Sequence, residues 1–122
     1  VNTLASGYLR NDQGCFSWHA FPAELQVAPI KAFTSFSEEN TNQLLAGGNY
    51  FGVIPFHGRF DSFSGSVIRS EKEQESVTAY GLDFYQKSVR HLKMITITNK
   101  THLLVVYNNE TSQVYELDEN NP

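Results

Sequence analysis

The sequence has few cysteines and no long apolar run. Cys15 is the single cysteine among 122 residues, so an internal disulfide is excluded and cysteine usage does not decide the compartment. A lone thiol in strand-like sequence is typically a small buried side chain, and we expect that of Cys15. No stretch approaches the roughly 18 apolar residues of a membrane span. Val1 opens no signal peptide, which favours a piece trimmed from a longer chain.

A basic block is also lacking. Nine Lys and Arg residues stand against thirteen Asp and Glu residues, which gives a net charge of −4. Binding to nucleic-acid phosphates needs clustered cations, so DNA and RNA are excluded as partners. Hydrophobic residues make up 40% of the chain, and 122 residues suit one compact domain with one core.

Helical periodicity is missing, whereas short runs rich in Val, Ile, Thr, Phe and Tyr recur between polar or glycine-bearing breaks. The sequence therefore predicts an all-β fold, and periodicity alone leaves sandwich, barrel and propeller open. A longer irregular segment, residues 50–63, is rich in aromatic residues and is expected to pack down as a loop. The predicted strands are residues 4–10, 15–21, 30–36, 43–49, 64–70, 76–80, 89–98, 102–108 and 113–117, and a solvated turn is predicted at 71–75.

Motifs for nucleophilic and zinc chemistry are absent from the sequence. There is no G-x-S-x-G, and the four histidines show neither H-x-H nor H-x-x-x-H spacing. Glu24 with Asp61, or Glu24 with Asp83, could form the carboxylate pair of a glycosidase, but the sequence gives no separation between them. A non-catalytic protein is therefore predicted, and a glycan-processing enzyme or its ancillary domain is the alternative.

Three segments, in order, resemble the C-terminal part of FG-GAP/VCBS repeat proteins. Residues 44–65 (LLAGGNYFGVIPFHGRFDSFSG) are similar to that family's "LLAGN(F/Y)-x-x-V-x-P-x-x-GR(Y/F)D-x-x-x-G". Residues 21–30 resemble its "LP-x-E-x-Q-x-(S/A)PV", and residues 89–115 resemble its closing "VR…LLVARNN…LQVF". The matches span about residues 21 to 117.

This resemblance implies a β-propeller built from antiparallel four-stranded blades, of which the chain would supply about two. Residues 1–21 would end one blade, 27–80 would form a full blade, 86–117 would form most of the next, and 118–122 would be a tail. The resemblance also implies a secreted, periplasmic or cell-surface scaffold that binds protein or glycan. The rest of a parent propeller, or another copy, would pair with its edge strands.

Repeats of this family often carry a D-x-(D/N)-x-D-G calcium loop. The corresponding turn here begins at Ser35 and ends at Asn42 (SFSEENTN), with neither alternating aspartates nor a glycine. Because that loop is degenerate, we predict no bound calcium and no other cofactor.

The predicted ligand-binding residues lie in residues 49–65, which we call the aromatic loop. Arg59 and Asp61 are two residues apart, so on an extended chain their side chains would point the same way. A recognition patch would use them beside aromatic rings that stack on sugar faces. The favoured interpretation is structural, with Arg59 and Asp61 pinning the loop through charge-assisted hydrogen bonds. The candidate residues are Asn49, Tyr50, Phe51, His57, Arg59 and Asp61.

Overall fold

The computed structural model describes residues 3–38, 40–52, 56, 58–70 and 72–117. The described residues form strands joined by turns and loops, with short 3₁₀ helices at Ala23–Leu25 and Val77–Tyr80 and no α-helix. The predicted all-β class is confirmed. The predicted tail, residues 118–122, lies outside the described residues. The strands are β1 Gly7–Asp12, β2 Cys15–Ala20, β3 Ile30–Glu38, β4 Thr41–Gly48, β5 Ser66–Ile68, β6 Gln74–Ser76, β7 Val89–Ile97, β8 Lys100–Tyr107 and β9 Gln113–Glu116.

The strands form three antiparallel sheets. The first sheet is the hairpin β1–β2, the second has the order β3-β4-β5-β6, and the third has the order β7-β8-β9. Tight turns join the hairpins because their residues accept positive φ angles. In the first hairpin Gly14 has a φ of 95°, and its N–H donates to the side-chain oxygen of Asn11 at 2.9 Å.

The predicted strand at residues 76–80 is wrong. Val77–Tyr80 is a 3₁₀ helix, because Ser76 caps its start and Gly81 ends it in the left-handed conformation, with a φ of 74°. The Ser76 hydroxyl accepts a hydrogen bond from the Thr78 N–H at 3.3 Å. The turn predicted at 71–75 is shorter than expected, since β6 already begins at Gln74 and pairs with β5.

Two apolar clusters place the second sheet between the other two. Neighbouring residues of β4 alternate between them: Leu45 belongs to the cluster shared with the third sheet, and Ala46 to the cluster shared with the first hairpin. The first cluster comprises Ala32, Leu45, Val67, Val77, Leu82, Phe84, Val89, Leu92, Leu103, Val105 and Tyr107. The second comprises Phe21, Leu25, Ala28, Ala46 and Phe63, with Tyr8, Ile30 and Ile68 packed against it.

The same irregularity occurs at the start of β3 and of β7. In each strand one extra basic residue interrupts the ladder, Lys31 in β3 and Arg90 in β7, which is the geometry of a β-bulge. The register passes from Ile30 opposite Gly48 to Ala32 opposite Gly47 in the second sheet, and from Val89 opposite Tyr107 to His91 opposite Val106 in the third.

The outward faces of the first and third sheets are partly apolar. On the first hairpin Leu9, Phe16 and Trp18 are exposed on one face, as the pairing of Leu9 with Trp18 requires. The outward face of the third sheet carries half-buried Leu104 and exposed Val114, which are paired neighbours. Cys15 is exposed, so the expectation that it is buried is wrong. Among the described helices, none has the length and apolarity needed to cross a membrane.

Tyr107 gives the fold an expected sensitivity to alkali. Burial, with a hydrogen bond to the Tyr115 hydroxyl at 3.3 Å, raises the pKa of Tyr107 well above its ordinary value. A folded pKa above the unfolded value of about 10 stabilises the protein fully below pH 10, and this contribution is lost as the pH rises further. In thermal melts at about pH 9 to 12, the Tyr107→Phe variant should lose less stability than wild type. Tyr85→Phe, which removes an exposed phenol, is the control; equal slopes for the two variants would contradict the assignment.

Candidate functional site

The aromatic loop leaves β4 after Gly48 and returns to β5 at Ser66. Its neck is closed by two backbone hydrogen bonds between Tyr50 and Phe60, at 2.8 and 3.1 Å. Only part of the loop packs down as expected, because Phe63 is 4% exposed whereas Phe60 is 45% exposed. The loop therefore presents aromatic surface at this end of the second sheet.

Asn49 is completely buried, and its side chain stabilises the fold. Its side-chain Nδ2 donates to the carbonyl oxygens of Phe63, Phe84 and Lys87, at 2.8, 3.0 and 2.9 Å. Its Oδ1 accepts the Phe63 N–H at 3.0 Å, so both ends of the amide are satisfied. The residue is 0% exposed and has a φ of 74°, a conformation that Asn tolerates better than most residues. No part of this side chain is left to contact a ligand, so we correct its assignment from ligand-binding to structural.

Tyr50 and Phe51 each lie beside a basic side chain. Tyr50 is 40% exposed, and the Lys31 ammonium lies 5.0 Å from the centroid of its ring. The Phe51 ring is half-buried, and the Arg59 guanidinium lies 4.9 Å from its centroid. Both distances are within the range of a cation–π contact.

Arg59 and Asp61 hold the loop through contacts other than the predicted ones. The predicted charge-assisted hydrogen bonds are not seen, because neither the Arg59 guanidinium nor the Asp61 carboxylate bonds to another described residue. Arg59 instead stacks on Phe51, and Asp61 fastens the loop through its main chain, whose carbonyl accepts the Gln86 N–H at 2.9 Å. His57, the remaining predicted site residue, lies outside the described residues.

Two adjoining clefts lie beside the aromatic loop, one toward the starts of β3 and β7 and the other toward residues 108–110 after β8. The first, which we call the Tyr50 cleft, has a volume of about 450 Å³ and is lined by residues that include Lys31, Tyr50, Gly52, Arg90, His91 and Asn108. A second cleft of about 480 Å³ shares Gly52 and Asn108 with it and adds Phe51, Arg59, Asn109 and Glu110. Glu110 is neutralised by Lys87, whose ammonium lies 2.6 Å from its carboxylate.

A third cleft, of about 440 Å³, lies at the opposite end of the sheets. Its lining is mixed: Phe36, Met94 and Leu117 are apolar, whereas Glu38 and Glu116 are acidic. The Tyr80 hydroxyl contacts both Glu38 and Arg69, and burial raises the pKa of Tyr80. These groups hold the β3–β4 and β5–β6 hairpins together.

The degenerate calcium-type loop lies at this same end. The Ser37 hydroxyl donates to the Asn42 side-chain oxygen at 2.8 Å, and the Glu38 carboxylate accepts from Gln43 at 2.7 Å, so these oxygens already have protein partners. Among the described residues, no group of three or more His, Cys, Asp or Glu side chains could hold a metal ion.

Comparison with known proteins identifies no relative. No family model, no curated protein and no solved structure matches this chain. The resemblance to FG-GAP/VCBS repeats therefore stays a prediction, and the function has to be argued from the geometry.

The structure brings Tyr50, Phe51 and Arg59 together, but the sequence prediction missed their neighbours from β3, β7 and the turn after β8. Lys31, Arg90, His91 and Asn108 are far from the loop in sequence. One signal could have found two of them: an apolar residue followed by a basic one opens both β3 (Ile30-Lys31) and β7 (Val89-Arg90).

Proposed function

We propose that this chain is a non-catalytic segment of a β-propeller, similar to FG-GAP/VCBS repeats, which binds glycan at the cell envelope through its aromatic loop. The loop end of the second sheet is the binding surface, and the three sheets are the scaffold. A secreted, periplasmic or cell-surface location belongs to the same proposal.

A repeated face geometry supports the propeller part of this proposal. The Phe33–Ala46 pair of the second sheet faces the first sheet, as the contact of the Phe33 and Phe21 rings shows, with centroids 6.5 Å apart. The equivalent pair one sheet later, Leu92–Val105, faces the second sheet. Equivalent pairs therefore point toward the preceding sheet, as they do when blades are related by rotation about a common axis.

The partly apolar outward faces support the same arrangement. Leu9, Phe16 and Trp18 lie on one outer sheet, and Leu104 and Val114 on the other. In a propeller each blade is covered by a blade on either side, so these faces would meet the rest of a parent propeller or another copy of the chain.

Glycan binding is carried by one observation: Tyr50 is 40% exposed and lines a cleft that also holds polar groups. An exposed ring presents a flat apolar surface to the C–H face of a sugar, and convergent polar groups bind its hydroxyls. A volume of about 450 Å³ lies within the size range of small-molecule sites.

The alternative, a glycan-processing enzyme, has less support. A glycosidase needs two carboxyl groups converging on one bond at about 5 to 10 Å. None of the three clefts is lined by Glu24, Asp61 or Asp83. Glu24 instead accepts from Gln74 at 3.3 Å, and Asp83 accepts the Tyr85 N–H at 2.9 Å.

Loss of exposed rings tests glycan binding directly. We expect Tyr50→Ala and Phe60→Ala each to weaken retention of the protein by immobilised polysaccharides about tenfold or more, because each removes stacking area. Phe16→Ala removes a more exposed aromatic residue, at 65% exposure, from the distant hairpin and should change nothing. The measurement is affinity electrophoresis against a polysaccharide panel. Unchanged retention of the Tyr50 and Phe60 variants would refute the site, and turnover abolished by Asp61→Asn would favour the enzyme.

A further inference from the structure

We propose that the ligand of the Tyr50 cleft is an acidic sugar, in which a ring carboxylate meets Lys31 and Arg90 while the sugar face lies on Tyr50. This inference rests on the proposed glycan-binding function and specifies its ligand class. It depends on the backbone geometry of β3 and β7 as much as on the side chains.

Lys31 and Arg90 both lie at β-bulges. A bulge inserts an extra residue into one strand and re-aims its side chain relative to the regular alternation. Lys31 is the extra residue of β3 and Arg90 that of β7, and both side chains line the Tyr50 cleft. A β-bulge in the second sheet and a β-bulge in the third sheet therefore each contribute one basic side chain to the lining of the Tyr50 cleft.

Among the described residues, no carboxylate lines the cleft. The described lining includes Lys31, Arg90 and His91, although the chain as a whole has a net charge of −4. Among the cations outside the cleft, Arg69 is paired with Glu75 at 3.1 Å and Lys87 with Glu110 at 2.6 Å. In the described part of the chain neither Lys31 nor Arg90 joins an ion pair. An anionic ligand would supply the missing charge through charge-assisted hydrogen bonds.

Asn108 supplies the neutral polar group that a sugar requires. It occupies in the third sheet the position of Asn49 in the second: the Asn49 N–H donates to the Pro29 carbonyl at 3.0 Å, and the Asn108 N–H donates to that of Ser88 at 2.8 Å. The Asn49 amide is fully used on backbone groups, whereas the half-buried Asn108 amide has no hydrogen bond to another described residue. Its donor and acceptor can therefore bind sugar hydroxyls.

Gly52 shapes the cavity beside the ring. A Cβ atom at this position would lie 2.4 Å from the Tyr50 hydroxyl oxygen, so any side chain there would displace the ring. The glycine thus lets the ring of Tyr50 lie against the loop.

The test compares two ligands with the same rings. The probes are a uronic-acid tetrasaccharide and the neutral tetrasaccharide made by reducing its carboxylates to alcohols, titrated by calorimetry. We expect wild type to bind the acidic probe at least about tenfold more tightly, with an advantage that shrinks as NaCl is raised. Lys31→Gln and Arg90→Gln should each lower the ratio of acidic-probe affinity to neutral-probe affinity about tenfold.

Matched variants distinguish the effect of a charge in the cleft from the effect of the net charge of the protein. Lys72→Gln removes an exposed cation from the β5–β6 turn and should bind both probes as wild type does. Arg90→Lys keeps the charge and should bind the acidic probe better than Arg90→Gln. The substituted side chains are exposed, so each variant should keep the wild-type melting temperature.

The outcomes distinguish the inference from the proposed function. Equal affinity for the two probes, or full acidic binding by the Lys31 and Arg90 variants, would overturn the acidic-sugar inference and leave glycan binding intact. Binding of neither probe, by a protein that melts normally, would overturn both. Equal binding of sulfate ion alone would contradict the role of the sugar ring.

Discussion

Replacing Asn49 by Asp is expected to lower the free energy of unfolding by roughly 3 to 5 kcal/mol. The Asn49 Nδ2 donates to three carbonyl oxygens at 2.8 to 3.0 Å, from Phe63, Phe84 and Lys87. In Asp an oxygen replaces that nitrogen, so a buried carboxylate would face three acceptors with no donor between them. The measurement is urea denaturation followed by circular dichroism.

Two further variants separate the side chain of Asn49 from its backbone conformation. Asn49→Gly keeps the φ of 74° without strain and loses only the amide hydrogen bonds. Asn49→Ala loses the same bonds and adds a Cβ in the left-handed region, which costs about 1 kcal/mol more. The expected order of stability is Asn, Gly, Ala, Asp, and an Asp variant as stable as wild type would refute the structural assignment.

The role of Asn49 illustrates what the sequence could not predict. The run of Leu44, Leu45 and Ala46 predicts a strand, because this preference is local. The burial of Asn49 depends instead on Phe84 and Lys87, which lie 35 and 38 residues further along the chain. A polar residue beside exposed aromatics resembles a ligand contact until that distant segment is placed against it.

Other discrepancies have local and long-range causes. Residues 76–80 have strand-like composition, but the Ser76 cap and the left-handed Gly81 enclose a single 3₁₀ helix. The bulges at Lys31 and Arg90 arise from the pairing of each strand with its partner, so they are not visible in either strand alone. The all-β class was predictable because it depended on the composition of many short segments together.

Gly48→Ala is the second substitution from which we expect a large loss, about 3 kcal/mol of the free energy of unfolding. An added Cβ would lie 2.0 Å from the Pro29 carbonyl oxygen and 3.0 Å from the Ile30 Cα, and neither main-chain atom can move without disturbing the β3–β4 ladder. Gly47→Ala is the matched control, because its nearest atoms, at 3.0 to 3.3 Å, belong to the side chains of Val89 and Leu92. Those side chains can shift at a cost of about 1 kcal/mol.

The same substitution links the fold to the proposed site. Pro29 and Ile30 precede the bulge at Lys31, so relief of the clash in Gly48→Ala has to displace that residue from the Tyr50 cleft. At temperatures where the variant is still folded, we therefore expect weaker binding of the uronic-acid tetrasaccharide than Gly47→Ala shows. If Gly48→Ala were as stable as Gly47→Ala and bound the acidic probe equally well, the close approach of β4 to the start of β3 would not hold Lys31 in place.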